Sequence, residues 1–369
     1  MKKPIILHIT PSLMVGGAEK LLVDLLTNFQ NNPANEFEHQ VIYFQAGPFL
    51  NQLEKLNIKI YHVTGLLNYY DPICFLKLLL LTRKIGAYKI HSMLWSANFY
   101  ARLVGKILKI PVICAIHSYY NSGNHTQDNL FKLKLDMLTL NWAKIIITVS
   151  SQIAKKLSSP KYRLTPNQIK IIHNGVKIPN QPNHTKQSIL NNNSVFTIGH
   201  VGRLVPVKNQ ALLIMALGLI KAKVKNFKVI IIGSGEMEQS LKKLAHNLDL
   251  NHQISFIKTN QPWEYFPKFD CFVLPSHQEG QSIALLEAMS FGITPVVTAP
   301  NNQHEIVVNC HNGLICEPNH HFALAQAMLE LANQPKFNRQ LAINAQITIQ
   351  KQFNLNQTAN LYLNTYKLS

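Results

Sequence analysis

Residues Pro275–Val297, PSHQEGQSIALLEAMSFGITPVV, decide how this chain folds. They follow Cys271–Leu274, a short apolar run suited to a buried strand. A polar loop comes next, then a periodic segment from about Ser282 to Phe291, then a second strand ending near Val297. The periodic segment is apolar nearly all round, with Ile283, Leu285, Leu286, Met289 and Phe291, which predicts a helix enclosed by protein. Its one charge, Glu287, has Ile283, Ala284, Ser290 and Phe291 as helical neighbours, so its carboxylate needs hydrogen bonds there. Glu279 sits in the loop leading to the helix N-terminus, where free backbone N–H groups receive anions.

Outward from this unit the same alternation repeats. Before it stand strand-like runs at Phe196–Val201, Lys228–Gly233, Ile254–Ile257 and Asp270–Leu274; after it, Thr294–Val297 and Gly313–Cys316. A second set occupies the first half: Ile5–Ile9, Gln40–Phe44, Ile58–Val63, Ile90–Ser92, Val112–Ile116, Ile145–Val149 and Ile169–Ile172. Helical patterns between the strands argue for parallel sheets with crossover helices. Residues 179–194 are polar and turn-rich and read as a linker, and Asn356–Tyr366 reads as a last helix. At 369 residues with 47% hydrophobic content, two domains of this plan can each bury a core. The expected division is 1–178, the linker, 195–352, and a terminal helix over 353–369.

The net charge is +18, and residues 1–180 hold 21 of the 36 Lys and Arg but 8 of the 18 Asp and Glu. A basic first half favours anionic partners, including a lipid surface. Two basic amphipathic stretches, Phe75–Lys84 and Asn98–Lys109, suit either such a surface or the outside of the sheet. Nucleic acid is not expected, because the basic residues are dispersed rather than clustered with aromatics. Five scattered cysteines suit reduced thiols, and Cys310, His311 and Cys316 lack the further ligands of a zinc site. No export signal or membrane span is evident; the longest oily run, Phe75–Leu81, is interrupted by Lys77. This predicts a cytoplasmic protein.

Strand ends carry the polar signatures. Gly202-Arg203, with Lys208 beyond, follows Phe196–Val201, and a guanidinium and an ammonium there suit a diphosphate. Gly233-Ser234-Gly235-Glu236 follows the next strand and permits close backbone approach. In the first half Gly16-Gly17 follows the first strand, His117-Ser118 follows Val112–Ile116, and Ser150 reads as a helix cap. Neither a dinucleotide fingerprint nor a P-loop is present.

Taken together, these motifs resemble the retaining glycosyltransferases of family 4. They are GGAE, H-N-G-V before the linker, G-R-L-x-x-x-K, G-x-G-E, the E-x7-E stretch Glu279–Glu287, and E-I-V before Asn312-Gly313-Leu314. The resemblance implies the GT-B fold: two Rossmann-like α/β domains facing each other across a cleft, with a C-terminal helix crossing back to the first. It implies transfer of a sugar from a UDP- or GDP-sugar, without cofactor or metal, to a surface-glycan or lipid-linked saccharide acceptor such as a lipopolysaccharide precursor. The basic first half, rather than the resemblance, suits an enzyme peripheral on the inner face of the cytoplasmic membrane. Carried over by motif, Glu287 would hold the ribose and Glu279 the transferred sugar. Gly280, Gln281, Ser282 and Ile283 would present backbone N–H groups, and Arg203 and Lys208 would hold the diphosphate. Gly16, Gly17, Gly233 and Glu236 would border the donor, and His117 would touch its sugar. The catalytic set would be His117, Glu279, Arg203 and Lys208, with no metal ligand. No D-x-D occurs, so a carboxylate-held metal clamp is not expected. The chain departs from the family pattern at Gln281 and Ser282, which border the sugar, and at Ser118, Lys177 and Lys258. A nucleotide-sugar epimerase of the same fold and a non-enzymatic sugar-binding protein are the alternatives.

Overall fold

The computed structural model describes residues 3–65, 71–118, 127–179, 195–224, 226–298 and 305–368. Two compact units divide the chain: 1–175 with 355–369, and 176–354. Residues 180–194, the core of the expected linker, lie outside the described residues.

Unit 1 is built on strands β1 (Ile5–Ser12), β2 (Glu38–Gln45), β3 (Lys59–His62), β4 (Lys89–Met93), β5 (Val112–Ile116), β6 (Ile145–Thr148) and β7 (Ile169–Ile171). Their spatial order is β3-β2-β1-β4-β5-β6-β7, with every pairing parallel. The helices are α1 (Gly17–Asn31), α2 (Leu50–Glu54), α3 (Pro72–Ile85), α4 (Trp95–Leu108), α5 (Gln127–Thr139) and α6 (Ser151–Leu157). Ser150 caps α6 by accepting from Ile153 N–H at 3.4 Å, as its position predicted. β1 runs three residues beyond the expected Ile9, because Thr10 and Ser12 still have partners in Tyr43 and Gln45.

Unit 2 repeats the plan with β8 (Phe196–Val201), β9 (Phe227–Ile232), β10 (Ile254–Ile257), β11 (Cys271–Leu274), β12 (Thr294–Thr298) and β13 (Leu314–Cys316). Their order is β10-β9-β8-β11-β12-β13, again parallel throughout. Its helices are α7 (Gln210–Ile220), α8 (Glu238–Asn247), α9 (Ile283–Ser290), α10 (His321–Asn333) and α11 (Pro335–Gln352). Asp270 stands just before β11 rather than inside it, because its carboxylate accepts from Thr197 N–H at 2.7 Å and ends the loop there. In both units two core layers flank the sheet. Fully covered faces explain why the strands read as continuous apolar runs without alternation.

The last helix, α12 (Leu355–Leu368), belongs to unit 1. Leu355, Ala359, Tyr362, Leu363 and Tyr366 enter the core that α1 and β1 also build. Beneath it runs a buried file of imidazoles. Asn35 is oriented by Phe37 N–H donating to its Oδ1 and by its own amide donating to Phe29 O. Its Oδ1 therefore accepts from His39 Nε2–H at 3.1 Å, His39 Nδ1 from His8 Nε2–H at 2.9 Å, and His8 Nδ1 from His91 Nδ1–H at 3.0 Å. Tyr366 Oη lies 3.0 Å from the same His91 nitrogen, and Lys89 Nζ donates to Tyr366 O at 2.6 Å. Burial lowers all three imidazoles, His39 and His91 to about 3 and His8 well below its usual value. The cysteines are free thiols, four of them buried. Among the described residues no helix is long and apolar enough to cross a membrane, and no cluster of three His, Cys, Asp or Glu could hold a metal ion.

Candidate donor-binding site

In an open parallel sheet ligands bind beyond the carboxyl ends of the strands, where the strand order reverses. In unit 2 that point lies between β8 and β11. The loop after β8 carries Arg203 and a short 3-10 turn, Pro206–Lys208; the loop after β11 carries Ser276 and Glu279. The two loops are joined there. Lys208 Nζ pairs with Glu279 Oε1, Ser276 Oγ donates to the same oxygen at 2.8 Å, and His277 N–H donates to Val207 O at 2.9 Å. Both ion-pair partners are mostly buried, which strengthens their attraction relative to a surface pair.

Two residues that the motifs did not single out support this junction. His200, within β8, has its Nδ1 2.9 Å from Val273 O of β11, and Gln210 Nε2 lies 3.2 Å from His200 Nε2. The Gln210 amide can only donate, so His200 is neutral with its proton on Nδ1. Burial is the leading reason its pKa falls to about 4. Gln210 Nε2 also donates to Arg203 O at 2.8 Å, fixing the backbone that carries the guanidinium. The only sequence signal was a histidine inside an otherwise apolar strand.

Arg203 itself is exposed. Gly233 and Gly235 serve a closer neighbour than a ligand. A Cβ at Gly233, whose φ is +151°, would collide with Gly202 O, and one at Gly235 with Leu204 O. Leu204 N–H donates to Ser234 O at 3.0 Å, so the glycines let the GSGE loop lie against the Arg203 loop. Glu236 points into solvent.

The opening stretch is a helix as its pattern predicted, α9, with Ser282 as N-cap accepting from Leu285 N–H at 3.4 Å. Gly280, Gln281, Ser282 and Ile283 are all buried at its start. Glu287 is only 9% exposed, among Leu286, Ala288 and Met289.

The other predicted residues belong to unit 1. Gly16 precedes α1 and Gly17 is its first residue. A Cβ at Gly16 would collide with the Glu19 carboxylate, which folds back over the turn and accepts from Ser12 Oγ at 2.9 Å. His117 follows β5; burial lowers it to about 4, so it is a neutral ring at pH 7. Its Nε2 has no hydrogen-bond partner among the described residues. Beside β4, at the switch point of this sheet, Leu94 has φ 67° and ψ 160°. That region is almost reserved for glycine, and such strain collects at ligand sites.

Two parallel α/β units, each with polar loops at a topological switch point, have the plan of the GT-B fold. The family model "Glycosyltransferase Family 4" matches residues 15–178, and that for "Glycosyl transferases group 1" matches 182–348. The chain belongs to glycosyltransferase family 4. An uncharacterized glycosyltransferase of Haemophilus influenzae is 28% identical over 60% of this chain and 61% of its own length, so the match spans less than two thirds of that relative. The UDP-Gal:alpha-D-GlcNAc-diphosphoundecaprenol alpha-1,3-galactosyltransferase of Escherichia coli is 24% identical over 90% of this chain and 89% of its own. Among solved structures, HepE of Anabaena in complex with UDP-glucose has a TM-score of 0.81 at 22% identity, covering 98% of this chain and 99% of that one.

Proposed function

We propose that the protein transfers a sugar from a UDP- or GDP-sugar to a hydroxyl of a lipid-linked saccharide or another surface-glycan acceptor, such as a lipopolysaccharide precursor, with retention and without a metal ion. The observation that carries this reading is the Lys208–Glu279–Ser276 junction across the unit 2 switch point. It sets a cation and a sugar-directed carboxylate side by side, one chain segment away from the buried Glu287. In this reading Glu287 accepts from the ribose hydroxyls. Arg203, Lys208 and the start of α9 meet the diphosphate, and Glu279 meets the transferred sugar. The bond between the sugar's anomeric carbon and the diphosphate oxygen breaks, and the acceptor oxygen bonds to that carbon on the same face. The departing phosphate takes the acceptor proton. Lys208 and Arg203 offset the charge that builds on the leaving group, the role that favours preorganised cations. His117, neutral, serves as a hydrogen-bond partner to the sugar rather than as a general base. The names of the Escherichia coli relative and of the HepE complex support a UDP-sugar donor, and the former a diphosphate-lipid acceptor.

Transfer with a panel of nucleotide sugars in excess EDTA tests the reading. Activity that persists in EDTA is the expected result. Activity lost in EDTA and restored by Mg²⁺ or Mn²⁺ removes the metal-free mechanism, and donor conversion without any acceptor points to an epimerase instead.

A further inference from the structure

One face of unit 1 is built for contact rather than for water. α3 buries Cys74, Leu78 and Thr82, yet it also exposes Ile73, Leu76 and Leu80 at the i, i+3, i+7 spacing of a single stripe. α5 packs Leu133 and Met137 on the core and turns Leu130, Phe131 and Leu138 outward, with Phe131 60% and Leu138 65% exposed. A helix that is apolar on both faces is normally covered on both. The orientation of α5 is fixed by a buried ion pair, Arg102 Nη2 of α4 to Asp136 Oδ1 at 2.6 Å, with side chains 1% and 5% exposed. That pair holds the outward stripe outward.

The charges on this face have one sign. Lys77, Arg83 and Lys84 of α3, Lys106 of α4, Lys109 just after it, and Lys134 of α5 are exposed. Among the described side chains of these helices no carboxylate is exposed. Asp136 is spent on Arg102, and Asp71 caps α3 by accepting from Cys74 N–H at 2.9 Å. A 390 Å³ hollow beside α3, lined by Thr64, Leu81, Lys77 and Lys84 among others, adds two ammonium groups close to one recess. Leucine and phenylalanine interleaved with lysine fit the boundary between acyl chains and anionic headgroups, each contact supplied by one residue class. A second copy of the chain would place cation against cation.

We propose that the α3–α4–α5 face of unit 1 docks on an anionic lipid bilayer. The inference rests on the reading that the acceptor is lipid-linked. α3 is the next described element after β3 and α5 the next after β5, so Ile73, Leu130 and Phe131, in the first turns of these helices, lie towards the carboxyl edge of the sheet. Gly16 comes after β1 and His117 directly after β5 on that same edge. A lipid anchored under the face presents its sugar to the edge where unit 1 is expected to take the acceptor.

Sedimentation with phosphatidylglycerol-containing vesicles and with phosphatidylcholine vesicles tests this on the full chain. Binding to the anionic vesicles alone, weakened by salt, is expected. Leu76→Ser/Phe131→Ser/Leu138→Ser and Lys77→Glu/Lys84→Glu/Lys134→Glu should each reduce it about tenfold or more, while Lys242→Glu/Lys243→Glu on α8 leaves it unchanged. UDP binding, measured on every variant, reports that unit 2 is intact. No binding by the unmodified chain overturns the proposal. So does unchanged binding by both face variants, or a dimer in light scattering that Phe131→Ser dissociates. Vesicle binding that behaves as expected while no donor supports transfer leaves the docking face standing and removes the glycosyltransfer reading instead.

Discussion

The Lys208 ammonium and the Glu279 carboxylate neutralise each other at a depth where neither is well hydrated, and Ser276 donates to the same oxygen. Removing one partner leaves the other charge poorly solvated. Lys208→Met should therefore lower both stability and turnover, the latter by about 10²–10³-fold if the ammonium meets the leaving phosphate. Adding Glu279→Gln should recover stability but not activity, with a coupling of about 0.5–3 kcal/mol in a urea-denaturation cycle. Strictly additive stabilities would mean the pair is not coupled. Glu287 is a different case, since in the proposed reading the ribose hydroxyls meet its buried carboxylate. Glu287→Gln should weaken UDP binding by about 10–100-fold, the worth of hydrogen bonds to a charged acceptor. An unchanged dissociation constant by calorimetry would take the ribose from Glu287.

At the scale of elements, α12 and strands β1, β2 and β4 are held together by the neutral imidazole file, and that arrangement is sensitive to acid. Unfolded, each histidine titrates near 6.5; folded, His39 and His91 titrate near 3 and His8 well below 6.5. Between those values the unfolded chain binds more protons, so stability rises with pH across the window and is fully present above about 6.5. It should fall below 6.5, by up to about 1.4 kcal/mol per pH unit for each imidazole. Hydrogen exchange of β1 and α12 peptides in urea, compared at about pH 7.5 and pH 5.5, should show an earlier midpoint in acid. His39→Asn should flatten the difference, and a midpoint independent of pH would contradict the neutral file. Strands such as Val112–Ile116 and helix α9 were legible in the sequence because their hydrophobic pattern is local. Glu279 in the loop before α9 and Glu287 inside that helix stand where the local pattern put them. The histidine file was not legible, because its members come from positions 8, 39 and 91, with Tyr366 beside the last, and meet only after the sheet has paired. His200 and Gln210 escaped notice for the same reason, as did the exposed side of α5, whose apolar residues look like core until the fold shows which of them face out.

For the whole molecule, the units are defined by contact and not by order along the chain. Residues 355–369 follow all of unit 2 in sequence yet complete the core of unit 1. Tyr366 is fully buried there, with its ring edge-on to Phe29 and Phe37 and its hydroxyl beside His91. Truncating so large a buried aromatic costs about 3–5 kcal/mol through lost transfer energy and the cavity left behind. If stability follows the contact units, Tyr366→Ala should raise hydrogen exchange in β1, β2, β4 and α1, although β1, β2 and α1 lie more than 300 residues earlier in the chain. Exchange in β8, β11 and α9 should stay as it was. UDP binds the latter set in the proposed reading, so its affinity should change little while sugar transfer falls with unit 1. Added UDP at about 100 times its dissociation constant should in turn stabilise unit 2 by about 2.7 kcal/mol and slow exchange there alone. Loss of protection spreading equally through both units of Tyr366→Ala would show that the molecule unfolds as one cooperative body, and that the contact boundary at Gly175 and Leu355 has no energetic counterpart.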